Sequence, residues 1–559
     1  MISFVVAAAL GGWHLLDGSS PDYAVTPRGT GAVIRRVSAT TTYVGPYGDM
    51  GHLQAVADAT PYHGKRIVVK LWVGKSNGTG NAYAYADVWG REGLLARDES
   101  YSHHVQFGPE ATPCTFVLEI PPHAIALDVS ILLTGNGEAF VQDAEIAIAD
   151  AATPATAATL SRAIDDETRA RVAAALRRAA TPFDGNNETA LTAVAHAVHG
   201  ARIVGLAETS HGSGAEDARA ADVFRYLAVH DDVRTLAVEA MFGTVRHLDA
   251  YVGGASEDVD LRLQQTNFHA FQTVEFRRLL DWMRAENGRR PPDRRLHVVG
   301  IDIAYSGPQS ALVLQRLTEF DRVAAERAKR AYACVREADR SGAPQCLVAV
   351  RGVTDLLRRM AGSRDVSDEL HAARSVEQYV EQYTGTTRDA AIAENIVWAT
   401  EKRFPRARVA VWAHFLHLAG ACCTGHTTTG LELEKRYHTA YYALGLIFGG
   451  GTSRAIPAGE TMPREVPMPP APPNTLEAVF DDVGADYFID GHALAPVTQT
   501  WFSQLHRLRR IDLWTDARRP ETTWTDERFG DALDGFIYLR TTDAAPLIER
   551  AKSLAAPLH

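Results

Sequence analysis

The stretch ARIVGLA at Ala201–Ala207 runs without a break into Glu208-Thr209-Ser210-His211-Gly212. A run that is apolar but for one arginine suits a strand covered on both faces, and the change to Glu, Ser, His and Gly marks where that strand ends. The same arrangement recurs. Thr235–Val238 (TLAV) is followed by Glu239, Leu296–Ile301 (LHVVGI) by Asp302, and Arg408–Ala413 (RVAVWA) by His414, with His417 three residues on. Between these runs lie amphipathic stretches such as Ala215–His230 (AEDARAADVFRYLAVH). Strands alternating with helices predict an α/β domain with a largely parallel sheet. Ligands of such sheets bind in the crevice outside the carboxyl ends of the strands. Strands that each deliver a titratable side chain to that edge predict an acid–base site there.

Glu208 and His211 share one strand-to-helix loop, in which Gly212 and Gly214 are turn residues. The positive end of the following helix is expected to lower the imidazole pKa, leaving His211 in the neutral form that a general base requires. Glu208 could accept the other ring N–H and fix the tautomer. A His211 that merely caps the helix, beside a solvated Glu208, fits the spacing equally well. His414-x-x-His417 has the interval of a metal-binding pair, to which Glu208, His211 or Glu239 would add ligands. The HExxH pattern is nevertheless absent, and two histidines bonded internally in a buried turn fit too. Neither Ser210 nor Ser213 sits in a G-x-S-x-G elbow. Gly212-Ser213-Gly214 lacks the third glycine of a dinucleotide loop, and no Walker A sequence occurs.

The chain has 559 residues, 46% apolar and 22% charged, with a net charge of −11. That length allows about two to four domains. The composition excludes disordered and fibrous classes, and the acid excess argues against nucleic acid or an anionic membrane as partner. No apolar run reaches the roughly 18 residues of a spanning helix. Ile2–Leu10 (ISFVVAAAL) lacks the basic flank of a secretory signal and is read as a strand or an unstructured start. Five cysteines (Cys114, Cys334, Cys346, Cys422 and Cys423), odd in number and without a CxxC pair, predict reduced thiols in a cytoplasmic protein.

Residues 1–150 read as an all-β accessory domain, a sandwich or jelly roll, from short alternating runs at Ala32–Ser38, Lys65–Val73, Thr115–Ile120 and Ala126–Leu133. Its Trp13, Trp72 and Trp89, with Tyr43, Tyr47, Tyr83 and Tyr85, suit either a core or a glycan platform. Residues 150–160 read as a linker, Leu160–Ala179 as a helix, and 151–559 as the α/β domain. Residues 309–385, helical and rich in Arg, Ala and Glu, are expected to be an insertion or cap. Residues 453–474, which contain PREVPMPPAPPN, are expected to be an irregular surface loop.

Gly205-Leu206-Ala207-Glu208-Thr209-Ser210-His211-Gly212 resembles the G-x-x-E-x-x-H-G signature of the erythromycin esterase family. The likeness continues in order through Leu236 to Ala240, Asp281 to Arg284 and Val299 to Asp302. Arg388-Asp389 with Glu394-Asn395 is similar to the family's R-D-x-x-M-x-x-N element, and Val409–His417 (VAVWAHFLH) to its W-A-H-N-x-H element. The resemblance spans about residues 160–559. It implies a hydrolase of macrolide-type lactone esters acting on a small molecule, with no metal and no other cofactor. His211 would be the general base that activates water and Glu208 its assistant. His414, His417 and Glu239 would line the pocket, and Arg388 would hold an acid or steady the oxyanion. Ser210, Asp302 and Phe415 are expected to contact the substrate, and a homodimer is an expected assembly. The chain departs from the pattern at three places: the acid after His-Gly is displaced to Glu216-Asp217, Phe415 stands for Asn, and Ile392 for Met. These departures and the added β domain leave alternatives. One is a biosynthetic tailoring enzyme that closes a ring or moves an acyl group in the same pocket. Others are a metal-dependent hydrolase and, without catalysis, a glycan-binding or scaffold protein.

Overall fold

The computed structural model describes residues 12–549 apart from 17–18, 21, 39–49, 77–80, 91–92, 101–104, 106, 135–136, 151–152, 154–157, 160–163, 184, 186, 267–268, 338–341, 385, 421–427, 458–459, 461 and 516–522. The expectations for Ile2–Leu10, Tyr43, Tyr47 and the Cys422-Cys423 pair fall outside those residues.

The N-terminal part is a sandwich of two antiparallel sheets, of six and five strands. Alternation decides which side chains meet between them: Leu53, Ala55 and Ala57 of one sheet share an apolar core with Ile67, Val69 and Leu71 of the other. Trp13 packs against that core, whereas Trp72, Trp89, Tyr83 and Tyr85 are half-buried outside it. The strand Ala158–Thr159 pairs back onto Gly93–Glu99 of the sandwich, so part of the expected linker is strand.

The second part is built on one large sheet. Its order is Thr181–Pro182, Tyr487–Asp490, Gly535–Thr542, Tyr441–Pro457, Ile203–Glu208, Arg408–His414, Val233–Met241 and His297–Asp302. The last six run parallel, and Tyr487–Asp490 is antiparallel to its neighbour. Each central strand is buried on both faces, so its residues alternate between two apolar cores. Ile203, Val409 and Val411 face one, and Val204, Leu206, Ala410 and Trp412 the other. The chain leaves Ile203–Glu208 toward one edge, returns to insert Arg408–His414 beside it, and then builds toward the opposite edge. That reversal is a topological switch point, where a crevice opens beyond the strand ends.

Residues 309–385 hold the expected helices: Gly307–Phe320, Arg322–Tyr332, Ala343–Ala361 and Ser367–Glu381. Leu312, Val313 and Leu317 meet Val350, Val353, Leu357, Val376 and Val380 in a core continuous with one sheet face, as their three- and four-residue spacing dictates. The helix expected from Leu160 runs over Asp166–Ala179, begun by Asp165, whose carboxylate accepts from Thr168 N at 2.8 Å.

Two expectations are corrected. Residues 453–474 are not all loop: Tyr441–Pro457 is one long strand, and Arg464–Met468 folds back on it with Gly451 opposite Met468. Pro467 is accommodated because this added strand lies at an edge. The thiols are not all reduced either: Cys334 and Cys346 form a disulfide that ties the turn Ala333–Glu337 to the helix Ala343–Ala361, while Cys114 is free and buried. Among the described residues no helix is long and apolar enough to cross a membrane.

Candidate active site

Sheet register brings the candidate residues together. Parallel pairing sets Glu208 level with His414. Between Val238 and Met241 the register shifts against His297–Asp302, a bulge that re-aims Glu239 at the strand end. The bulged backbone passes so close that a Cβ on Gly300 would lie 2.5 Å from the Ala240 carbonyl oxygen, so only glycine fits. Gly212 is equally constrained, since its Cβ would lie 1.9 Å from the carbonyl oxygen of Arg454. The loop around it is pinned by Glu216, which is wholly buried and accepts from Thr209 N at 2.9 Å, Thr209 Oγ1 at 2.8 Å and Ser210 N at 3.2 Å. Burial and the neighbouring Glu208 push the Glu216 carboxyl well above its ordinary value.

Within this frame Glu208 is held from both sides. His211 Nδ1 donates to Oε1 at 2.7 Å, and the Trp412 indole N–H donates to Oε2 at 2.6 Å. His211 is 7% exposed, and its Nε2 has no hydrogen-bond partner among the described residues. Facing it is His414, with ring centroids 4.7 Å apart. Leu416 N–H donates to His414 Nδ1 at 3.4 Å, which places the ring proton on Nε2. That Nε2 is buried and makes no hydrogen bond.

The two imidazoles are pushed apart. Burial opposes charge on both, but at His211 the hydrogen bond to Glu208 and the field of Glu239 outweigh it, and the pKa rises. The helix end does not lower it as the sequence suggested, because two carboxylates are nearer than that dipole. At His414 burial wins and the pKa falls to about 3, so this ring is neutral.

Behind the histidines lies a charge network. Arg388 Nη2 donates to Glu239 Oε1 at 2.9 Å and to Asp302 Oδ2 at 2.9 Å, and Nε donates to Asp302 Oδ1 at 2.8 Å. His417 Nδ1 donates to Asp389 Oδ1 at 2.8 Å and Nε2 lies 3.2 Å from Glu239 Oε1. Against burial, Glu239 and Asp389 push His417 up to about 10. Glu239, despite burial, is driven well below the usual carboxylate range by His417, His211 and Arg388. Its Oε2 accepts from the His414 backbone N–H at 2.9 Å, so the network also positions His414.

Seven of the nine expected residues therefore converge: Glu208, His211, Glu239, Asp302, Arg388, His414 and His417. Asp302 joins them as the anchor of Arg388, not as a free substrate contact. Ser210 is fully buried and shares a hydrogen bond of 2.8 Å with Ser453. Phe415 is fully buried in the apolar core, because the residue after His414 turns back under the sheet in the short helix Phe415–Leu418. Sequence reading gave no site role to Trp412 or Asp389, which lie within the quoted elements, and did not single out Asp512. Asp512 Oδ1 lies 3.4 Å from His414 Nε2. Among the described residues, no group of three or more His, Cys, Asp or Glu side chains is arranged to hold a metal ion.

The erythromycin esterase family model matches residues 228–542, more than half of the sequence. The chain belongs to the erythromycin esterase family. Membership supports a hydrolase. The match begins beyond the Glu208–His211 loop, so the reading of that pair rests on its geometry. Similar solved structures include a Bacillus cereus protein, 19% identical, covering 68% of this chain and 99% of that one with a TM-score of 0.60. A succinoglycan biosynthesis protein is 16% identical, covering 69% and 100%, with a TM-score of 0.59. A mutant of the erythromycin esterase EreC in its open conformation is 16% identical, covering 66% and 98%, with a TM-score of 0.47. At these identities the first two establish a shared fold. No curated protein matches the sequence.

Proposed function

We propose that this erythromycin esterase family member hydrolyses an ester or lactone of a small natural product, with His211 as general base and without a metal ion. The observation that carries this reading is the pair of imidazoles 4.7 Å apart with opposite pKa directions, because environments that separate two titratable groups assign the acid–base roles. Glu208 holds the proton of His211 on Nδ1, leaving the Nε2 lone pair to take a proton from water. The resulting hydroxide attacks the acyl carbon. The carbonyl oxygen becomes an oxyanion and is met by the neutral Nε2–H of His414, which makes no hydrogen bond, a donor of a kind worth about 3–4 kcal/mol elsewhere. The tetrahedral intermediate collapses, and the leaving alkoxide recovers the proton from His211, yielding acid and alcohol. Arg388, His417, Glu239, Asp302 and Asp389 do not touch the reacting atoms in this scheme. They hold the His414 backbone and keep the buried charges compensated.

Turnover of a lactone in isotopically labelled water tests the scheme. One labelled oxygen is expected in the carboxylate product. Turnover without label would mean that a substrate hydroxyl is the nucleophile and that the same site closes rings or moves acyl groups. Activity is expected to survive chelation; a loss restored by zinc would overturn the metal-free mechanism.

A further inference from the structure

A cavity of about 380 Å³ lies where the first turns of the helices Phe242–Val252 and Gly307–Phe320 meet the short helix Val259–Gln264. None of the residues given a part in the reaction lines it. Thr244 and Leu312 line it and are buried, whereas Gln265, Gly307 and Ala311 line it and are exposed. A Cβ on Gly307 would meet nothing within 4 Å, so the cavity is open to solvent on that side. On the inner side the two first turns abut so closely that a Cβ on Gly243 would lie 2.4 Å from the Pro308 carbonyl oxygen. Residues of both first turns line the cavity, and neither helix begins with a side-chain cap, so the positive ends of two helix dipoles lie at it.

The titratable side chains that line this cavity are Arg246, His247 and Arg262, and among the described residues no carboxylate does so. His247 Nδ1 and Arg262 Nε share one acid, Glu257, at 3.2 and 3.1 Å, and Arg262 Nη1 donates to Gln265 Oε1 at 3.2 Å. Arg246 has no hydrogen bond or ion pair among the described residues. Its charge acts across space on Asp368, which is already paired with Arg403 at 3.1 Å. A guanidinium does not lose its proton in a protein, so Arg246 brings to the cavity a charged donor fork that no acid among the described residues occupies. A donor fork beside helix N-termini matches an oxyanion, and a phosphate group has acceptor oxygens enough for Arg246, Arg262 and a helix end together. The volume lies within the range of small-molecule sites, about 300–1,000 Å³, and so leaves room for more than the anion. Leu312, Pro308 and Ala311 offer apolar surface to that remainder.

We infer that this cavity is a binding site for a small organic phosphate, held by Arg246 and Arg262 at the two helix ends and separate from the histidine pair. The inference does not depend on the esterase reading, because its readout is binding. The full-length protein is titrated by calorimetry with phenylphosphonate, which has no ester bond to cleave, and with benzoate, in chloride buffer of fixed ionic strength. Wild type is expected to bind one equivalent of phenylphosphonate with a Kd of about 1 mM or tighter, benzoate about tenfold more weakly, and both less tightly as chloride is raised. Arg246→Gln is expected to weaken phenylphosphonate by about tenfold or more. Ala311, exposed at the rim, gives a second test that leaves the packing alone: Ala311→Glu is expected to weaken binding and Ala311→Lys to tighten it, each by roughly two- to fivefold. His211→Ala is expected to bind as wild type does, since that ring does not line the cavity. Absence of saturable binding, benzoate bound as tightly as phenylphosphonate, binding that folded Arg246→Gln leaves intact, or binding lost in His211→Ala overturns the inference. If Arg246→Gln does not fold, the Ala311 pair decides, and equal affinities in Ala311→Glu and Ala311→Lys overturn it.

Discussion

Replacing Glu208 by Gln keeps the shape of the side chain and removes its charge, and the geometry dictates more than that. Trp412 Nε1–H lies 2.6 Å from Oε2 and can only donate. The amide oxygen of the variant must therefore face Trp412, and its NH2 must face His211 Nδ1, 2.7 Å from the other carboxyl position. Nδ1 then accepts, the ring proton moves to Nε2, and the atom that takes a proton from water already carries one. The reversed amide would set two donors face to face in a buried site at a cost of about 1–3 kcal/mol, so only roughly 1–15% of molecules hold the competent orientation. Loss of the charge-assisted hydrogen bond to the imidazolium removes about 1.5–3 kcal/mol more from the transition state. Together these predict that kcat/KM on a chromogenic ester falls by about 10²–10⁴-fold in Glu208→Gln, with far-UV circular dichroism unchanged. Glu208→Ala, which leaves the tautomer free, is expected to lose less. Trp412→Phe lowers activity in the native background but lets the amide turn round in Glu208→Gln, recovering roughly tenfold of its rate. A Glu208→Gln enzyme that keeps more than a tenth of its activity, or a double variant no better than Glu208→Gln alone, would refute the reasoning.

Four further outcomes are expected. His414→Ala lowers kcat by about 10²–10³-fold with KM little changed, and an unchanged kcat would remove its Nε2–H from the mechanism. The acid limb of kcat/KM lies above the ordinary imidazole value of about 6.5, because His211 is raised and active only when unprotonated, so activity is lost as pH falls through that raised value. A pH profile flat down to pH 5 contradicts this assignment. Arg388→Met leaves Asp302 without its cation and Glu239 with His417 alone, and costs about 3–5 kcal/mol in urea unfolding; a change below about 1 kcal/mol would mean that the network is not coupled as described. Replacing Cys334 and Cys346 together by Ser, or adding reductant, removes a cross-link over 12 residues and costs about 3 kcal/mol; thermal denaturation curves that coincide under both conditions would deny the bridge a structural role.

The parts of this site that were legible in the sequence are those set by purely local change. Ile203–Glu208 and Arg408–His414 announce themselves because an apolar run stops at a titratable residue, and in a parallel sheet all such stops fall on one edge. What could not be read is the direction in which a side chain points once the strand is over. Phe415 and His417 are two residues apart, yet one is core and the other is clamped between Glu239 and Asp389. His211 was expected to be lowered by the helix it precedes, and only the structure brings Glu208 and Glu239 near enough to reverse the sign. Asp512 is more than 90 residues beyond His414 in the chain, and only the bridge from Ile511 to Ser210 carries it to the histidines. The long strand Tyr441–Pro457 was hidden by its Gly449-Gly450-Gly451 run, a poor strand former that is tolerated because neighbouring atoms approach too closely for a side chain at Gly449 and Gly451.

One feature of the sheet reaches beyond catalysis. Glu208, Trp412 and His414 sit on two adjacent strands in fixed register, so the acid that holds His211 and the donor imidazole are aligned by backbone pairing. The helices of 307–381 and the segment that bears Asp512 can therefore diversify, through substitution or loop exchange, without misaligning base and donor. Relatives sharing this ladder are expected to differ widely in the molecules they accept while retaining the same hydrolytic step.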